Sequence, residues 1–242
     1  TNTVIGLLTG RTLHHRWRVS SDFWRTADEF AILVRELCGQ SGVELDSINR
    51  AIVCSVVPSL TTAFVRMCEG ALGLEPVVVG PELDLGIVID YEDPHEVGPD
   101  RLANAVAVRQ LVEGPAIVVD FGTATTFDVV TAEGHYAGGA IAPGLLTSVE
   151  TLFRQAALLH RVSLEPVTTA IGRTTEDSLR SGIVYGGVGQ VDEVVRRIVK
   201  EWGEEPTVVA TGGLAERIAL MSEMIDIVEP DLTLLGLALI HE

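Results

Sequence analysis

The sequence predicts an α/β fold, and three observations predict it. Short runs rich in Val and Ile alternate with stretches of helical periodicity along the 242 residues. Hydrophobic residues make up 47% of the chain and aromatics only 5%, a profile that suits buried parallel strands better than a β-sandwich. The apolar opening around Val4 also resembles the start of the second half. A duplicated α/β unit is therefore the simplest architecture, with a ligand cleft between the halves at the strand ends. Gly114-Pro115 marks the expected boundary, dividing residues 1–114 from 115–242.

The elements follow in order. Val4 to Leu8 reads as a strand closed by Thr9-Gly10. Thr26 to Glu29 forms a capping box, and Phe30, Leu33, Val34, Leu37 and Cys38 recur at helical spacing up to Gly39. Ala51 to Val57 reads as a buried strand, after which Ser59 is expected to cap a helix carrying Leu60, Phe64 and Met67. Pro76 to Gly80 is a second short strand. Asp84 to Asp100 lacks a period and reads as a loop that serves a site, and a helix follows from Ala103 to Leu111. Beyond the boundary come a strand at Ala116 to Asp120, a turn at Gly122-Thr123, and a hairpin of Thr125 to Val130 with Tyr136 to Ile141. Helices are expected at Pro143 to Leu159 and at Thr175 to Lys200, the second with a stripe of Leu179, Ile183, Val191, Val195 and Ile198. A strand at Thr207 to Ala210 enters Thr211-Gly212-Gly213, then a short helix, a strand at Ile225 to Val228 and a last helix from Asp231.

Charge narrows the partners. The chain has 34 acidic residues against 17 basic ones, a formal net charge of -17, which repels nucleic acid and anionic membrane. An anionic ligand needs local Arg residues, backbone NH groups or a cation. Cys38, Cys54 and Cys68 stand apart from one another and from paired His, so neither zinc nor a disulfide framework is expected. His14-His15 is too short to suggest a metal site. No apolar run reaches membrane-spanning length and no leader opens the sequence, so a soluble, cytoplasmic protein is expected.

Several segments combine chemistry with a plain structural reading. Asp120, at the end of a buried strand, is followed by Gly122, Thr123, Thr125 and Thr126. Together they offer a carboxylate, hydroxyls and backbone NH groups to a phosphate and its cation; equally, Asp120 closes a tight turn. Thr211-Gly212-Gly213, between strand and helix, is a second place for close backbone approach to a nucleotide, although many α/β turns look the same. Asp100 and Arg101 offer a general base and an anion clamp, or merely an N-cap and a surface residue. Gly138 to Gly144 holds close-approach glycines before a helix, and Thr174 with Asp177 makes an ordinary cap.

In this order, the segments resemble the type III pantothenate kinases. The residues that carry the resemblance are Thr26-Ala27-Asp28-Glu29, Ser55-Val56-Val57-Pro58, Asp93 to Arg101, Asp120 to Thr126, Gly138 to Gly144 and Ala210 to Leu214. The resemblance implies an actin-like (ribonuclease H-like) α/β fold of two duplicated domains, a homodimer, and transfer of the ATP γ-phosphoryl group to the 4′-hydroxyl of pantothenate, the first step of coenzyme A synthesis. It further implies that Asp100 is the proton acceptor and that Tyr91, Gly98, Pro99, Arg101 and Thr175 contact pantothenate. Thr1, Asn2, Thr3, Gly122, Thr123 and Gly212 would contact ATP. Asp120 would hold a monovalent cation, K+ or NH4+, with Mg2+ accompanying ATP. Two departures stand out. The family's opening Asp-x-Gly-Asn-Thr would begin ahead of Thr1, so its Asp and Gly are expected in residues that precede this sequence. Pro99 stands where the family usually has Ala, removing an NH that a ligand contact would need. The alternative to an active kinase is a non-catalytic binding or regulatory relative of the same family.

Overall fold

A computed structural model describes residues 2–155 and 162–241. The backbone groups into two compact units, interleaved along the chain: Thr1–Gly86 with Glu92–Ala107 and Thr233–Glu242, and Ile87–Tyr91 with Val108–Leu232. The first unit opens on a hairpin of β1 (Asn2–Thr9) and β2 (Thr12–Ser20). β2 is absent from the sequence expectation. Its Leu13, His15, Trp17 and Val19 are half-buried while His14, Arg16 and Arg18 are exposed, so the period of two is carried by a face in which polar residues stand among apolar ones.

Helix α1 (Ala27–Gln40) starts at the expected capping box: the Thr26 hydroxyl accepts from Glu29 N, and the Glu29 carboxylate accepts from Thr26 N at 2.7 Å. That bond, with one from the Thr26 hydroxyl, holds the Glu29 carboxyl below its ordinary pKa. Phe30, Val34 and Cys38 pack with Leu60, Ala63 and Met67 of α2 (Pro58–Met67). Pro58, preset to helical φ, takes the first position of α2, and Val57 is the N-cap without a side-chain bond. Ser59 therefore lies inside the helix and does not cap it. The strand expected over Ala51 to Val57 narrows to β3 (Ile52–Val53), paired in parallel with β4 (Val77–Val78).

The second unit is built on one six-stranded sheet in the order β10-β9-β6-β7-β8-β5. Its middle strand, β6 (Ala116–Phe121), pairs in parallel with β9 (Thr207–Gly212) and antiparallel with β7 (Ala124–Val130). Residues 116–119 are buried on both faces, which is why they form an unbroken apolar run. β7 continues into β8 (His135–Pro143), with a register shift at Val129/Val130. Two residues of the expected loop, β5 (Val88–Ile89), add a parallel edge strand beside β8. β10 (Ile227–Val228) closes the other edge.

Helix α4 (Leu145–Gln155) covers the first part of the expected Pro143 to Leu159 helix; residues 156–159 lie outside the described residues. Helix α5 (Thr175–Trp202) buries Val184, Val188, Val191 and Val195, so its inner stripe passes through Val184 rather than Ile183. Val188, Val191 and Val195 join Ile117, Val119, Phe127 and Val208 in the main core. A short α6 (Ala215–Ala219) precedes β10.

Two further helices belong in the main to the first unit. α3 (Pro99–Leu111) begins four residues before the expected start, and α7 (Leu232–Ile240) ends the fold. Within the first unit, the Gly236 backbone of α7 lies so close to Ala103 that a Cβ would fall on its carbonyl oxygen. The Thr233 hydroxyl donates to the fully buried Asn104 Oδ1 at 2.7 Å. Among the described residues, no helix is long and apolar enough to cross a membrane.

Candidate active site

The carboxyl ends of β6 and β9 gather four of the expected site residues within the second unit. Parallel register sets Asp120 beside Thr211 and Phe121 beside Gly212, while β7 sets Thr126 on the other side of Asp120. Gly212 has φ +91°, and a Cβ there would stand 2.6 Å from Asp120 Oδ1 and 2.7 Å from both Phe121 N and O. Only glycine fits that close approach. The adjoining Gly213 N donates to Phe121 O at 3.1 Å. On the far side, Gly122 and Thr123 are exposed. Their turn is braced from behind: the Thr147 hydroxyl donates to Thr123 O at 2.9 Å, and a Cβ at Gly144 would run into the carbonyls of Gly122 and Thr123.

Asp120, Gly122 and Thr123 at the end of β6 and Gly212 at the end of β9 thus gather at neighbouring strand ends, the place where open α/β sheets bind ligands. The chemistry of that turn suits a hard cation and phosphates, since the half-buried Asp120 carboxylate adjoins the exposed Gly122-Thr123 turn. No cluster of three His, Cys, Asp or Glu side chains able to hold a metal occurs among the described residues. A cation at Asp120 would take its other ligands from backbone, water and phosphate oxygens.

Tyr91 also belongs to the second unit. It follows β5, and its ring lies over Gly138, with two ring carbons 3.5 and 3.7 Å from where a Cβ would stand. The same ring tilts against Tyr136, centroids 6.2 Å apart at 56°. Thr175 is the first residue of α5 and is exposed. Its neighbour Thr174 is the cap, accepting from Asp177 N at 3.1 Å and donating to Asp177 Oδ2 at 2.8 Å, as the sequence suggested.

In the first unit, Gly98, Pro99, Asp100 and Arg101 form the start of α3. Gly98 O accepts from Leu102 N at 3.1 Å, so Gly98 is the N-cap and Pro99 occupies the first helical position, where no NH is required. Asp100 is consequently not the cap. Its Oδ1 accepts from Arg101 N at 2.9 Å, and a Cβ on Gly98 would lie 2.5 Å from that oxygen and 3.5 Å from Val56 Cγ1. Arg101 is only 6% exposed, which excludes the reading of it as a surface residue. Burial pushes the neighbouring Cys54 thiol up to about 12, and the Asp100 charge adds to the effect. Asn2 and Thr3 open β1, Asn2 exposed and Thr3 with its hydroxyl 2.9 Å from that of Ser21; Thr1 lies outside the described residues.

Sequence reasoning missed four close neighbours: Val56 beside Gly98, Cys54 beside Asp100, Thr147 behind Thr123, and Tyr136 behind Tyr91. Val56 lies inside a quoted motif and Thr147 at helical spacing after Gly144, so both carried a signal. The contact of Tyr91 with Tyr136 depends on strand pairing between distant segments and carried none.

The second unit's mixed sheet and its strand-end turn define an α/β protein of the kind that takes a ligand at the carboxyl ends of its strands. A solved structure of the ethanolamine utilization protein EutJ from Carboxydothermus hydrogenoformans shares the fold, with TM-score 0.53 at 14% identity, covering 99% of this chain and 86% of that one. The family model described as type III pantothenate kinase matches residues 1–197. Over 242 residues, all of this chain, the sequence is 48% identical to a type III pantothenate kinase from Geobacter sulfurreducens, covering 95% of that protein. It is 45% identical to one from Bacillus cytotoxicus, covering 92% of it. The chain belongs to the type III pantothenate kinase family.

Proposed function

We propose that this protein transfers the γ-phosphoryl group of ATP to the 4′-hydroxyl of pantothenate, the entry step of coenzyme A synthesis. Family membership along the whole chain is the observation that carries the reading. Asp100 accepts the hydroxyl proton as the new bond forms, and Arg101 offsets the substrate's negative charge. Gly98, Pro99, Tyr91 and Thr175 complete the pantothenate contacts. The missing NH of Pro99 costs no helical bond at that position, so the substrate would meet Gly98 and the Pro99 ring.

Gly122, Thr123 and Gly212 let the phosphates approach the backbone, with Thr1, Asn2 and Thr3 opening the first unit's share of the ATP contacts. Asp120 is the ligand for K+ or NH4+. When bound, this cation and the Mg2+ of ATP supply positive charge that an acidic protein needs to join two anions. Along the sequence, residues 1–114 and 115–242 are the proposed duplicated halves, while the compact units interleave across that boundary, with Ile87–Tyr91 in the second unit and Thr233–Glu242 in the first. The protein works as a cytoplasmic homodimer.

The test is direct. Incubation of the protein with ATP, Mg2+, K+ and pantothenate yields 4′-phosphopantothenate by mass spectrometry, and omission of K+ lowers the rate. Absence of product, or faster phosphorylation of another small alcohol in a substrate panel, overturns the reading.

A further inference from the structure

We infer that Tyr136 and Asp128 are positioning residues for pantothenate, acting through Tyr91; the inference rests on the proposed contact between Tyr91 and that substrate. Tyr91 is 37% exposed, so its ring has a face to offer. A half-exposed tyrosine on a short edge segment ordinarily samples several rotamers, and each must be given up when a ligand binds. Here the ring is backed on two sides, by the Cβ-less Gly138 and by the Tyr136 ring, within the range of a favourable tilted aromatic pair. The backbone is fixed as well: Asp90 N donates to Tyr136 O at 2.9 Å, and Ile89 pairs with Tyr136 in the sheet.

Tyr136 is itself held from below. It is fully buried, and its hydroxyl donates to Asp128 Oδ1 at 2.8 Å. Asp128 is also fully buried, and its other oxygen accepts from the Thr126 hydroxyl at 2.9 Å. A carboxylate buried in the middle of a strand is costly unless hydroxyl or NH donors satisfy it. In this sheet an apolar residue at 128 would continue the run of Phe127, Val129 and Val130. The acid instead fixes the Tyr136 hydroxyl, hence the plane of the Tyr136 ring, hence the surface on which Tyr91 rests.

A double-mutant cycle tests this, reading KM for pantothenate and for ATP in wild type, Tyr136→Phe, Tyr91→Leu and the double variant. Loss of part of the hold that this carboxylate-accepted hydrogen bond gives the ring should raise pantothenate KM roughly 5-fold in Tyr136→Phe, with ATP KM and kcat held within about 2-fold. In the Tyr91→Leu background the same change should have no further effect on pantothenate KM. Asp128→Asn, which keeps an acceptor oxygen for Tyr136, should stay within about 2-fold of wild type. Should Tyr136→Phe fail to fold, Asp128→Val, which continues the apolar run of the strand and removes the acceptor of the Tyr136 hydroxyl, takes its place in the cycle with the same two outcomes.

The inference is overturned if Tyr136→Phe multiplies pantothenate KM equally with and without the Tyr91 ring, or raises both KM values together as a general loosening would. A wild-type protein inert toward pantothenate overturns the functional reading and this inference with it. An active wild type with additive mutants overturns this inference alone.

Discussion

The two compact units place their site residues by different means. In the second unit, strand register does the work: Asp120, Phe121, Thr211 and Gly212 are neighbours because β6 and β9 run side by side, and β6 is buried on both faces. In the first unit, the two-stranded ribbons are short or half-exposed, and Asp100 is placed by the start of a helix. That helix is held by the Gly236 contact with Ala103 and the Thr233 bond to Asn104. A disturbance of register therefore moves several groups of the strand-end turn at once, whereas a disturbance around α3 moves one carboxylate and its adjoining Arg101.

The largest contrast comes from the same substitution made in each unit. At Gly139 a Cβ would fall on the Phe127 carbonyl of the paired strand, while at Gly39 in α1 nothing lies within 4 Å. Gly139→Ala should cost about 3 kcal/mol or more through forced strand separation, and Gly39→Ala should be neutral or stabilise by up to about 1 kcal/mol as an exposed helical site. Urea unfolding midpoints measure both, and equal shifts would dissolve the contrast.

A smaller effect sharpens the functional division. Gly212→Ala sets a methyl group against Asp120 and the Phe121 backbone, so ATP KM should rise roughly 10-fold while pantothenate KM changes little. A rise confined to pantothenate would assign that turn to the other substrate.

The smallest concerns pH. The Cys54 thiol is raised from 9.0 to about 12 in the folded protein, so its contribution is complete below pH 9.0 and is lost as pH climbs toward about 12. Above pH 9 the unfolded thiol ionises and draws the chain toward the unfolded state. Cys54→Ala should therefore flatten the decline in the urea midpoint between neutral and strongly alkaline pH, and an unchanged decline would place that thiol outside the field of burial and Asp100.

The contrast also explains what the sequence disclosed. The strand-end turn was legible because its demands are local: an acid after four buried apolar residues, then glycine and threonine. The capping box at Thr26 was legible for the same reason. β2 was not, because arginines and histidines interleave with its half-buried residues and mask a strand that is covered on one side only. Nor was the start of α3, since the stretch up to Asp100 has no clean period and Asp100, rather than Gly98, offered a side chain suited to a cap. The contact of Tyr91 with Tyr136 arises from pairing between β5 and β8, segments that no local pattern connects.

Asp100 as proton acceptor is the central claim, and single-turnover transfer from ATP to pantothenate by Asp100→Asn tests it most directly. The account predicts that the transfer rate falls by roughly 10²- to 10⁴-fold relative to wild type, while pantothenate affinity by calorimetry stays within about 3-fold. Transfer at close to the wild-type rate would contradict it.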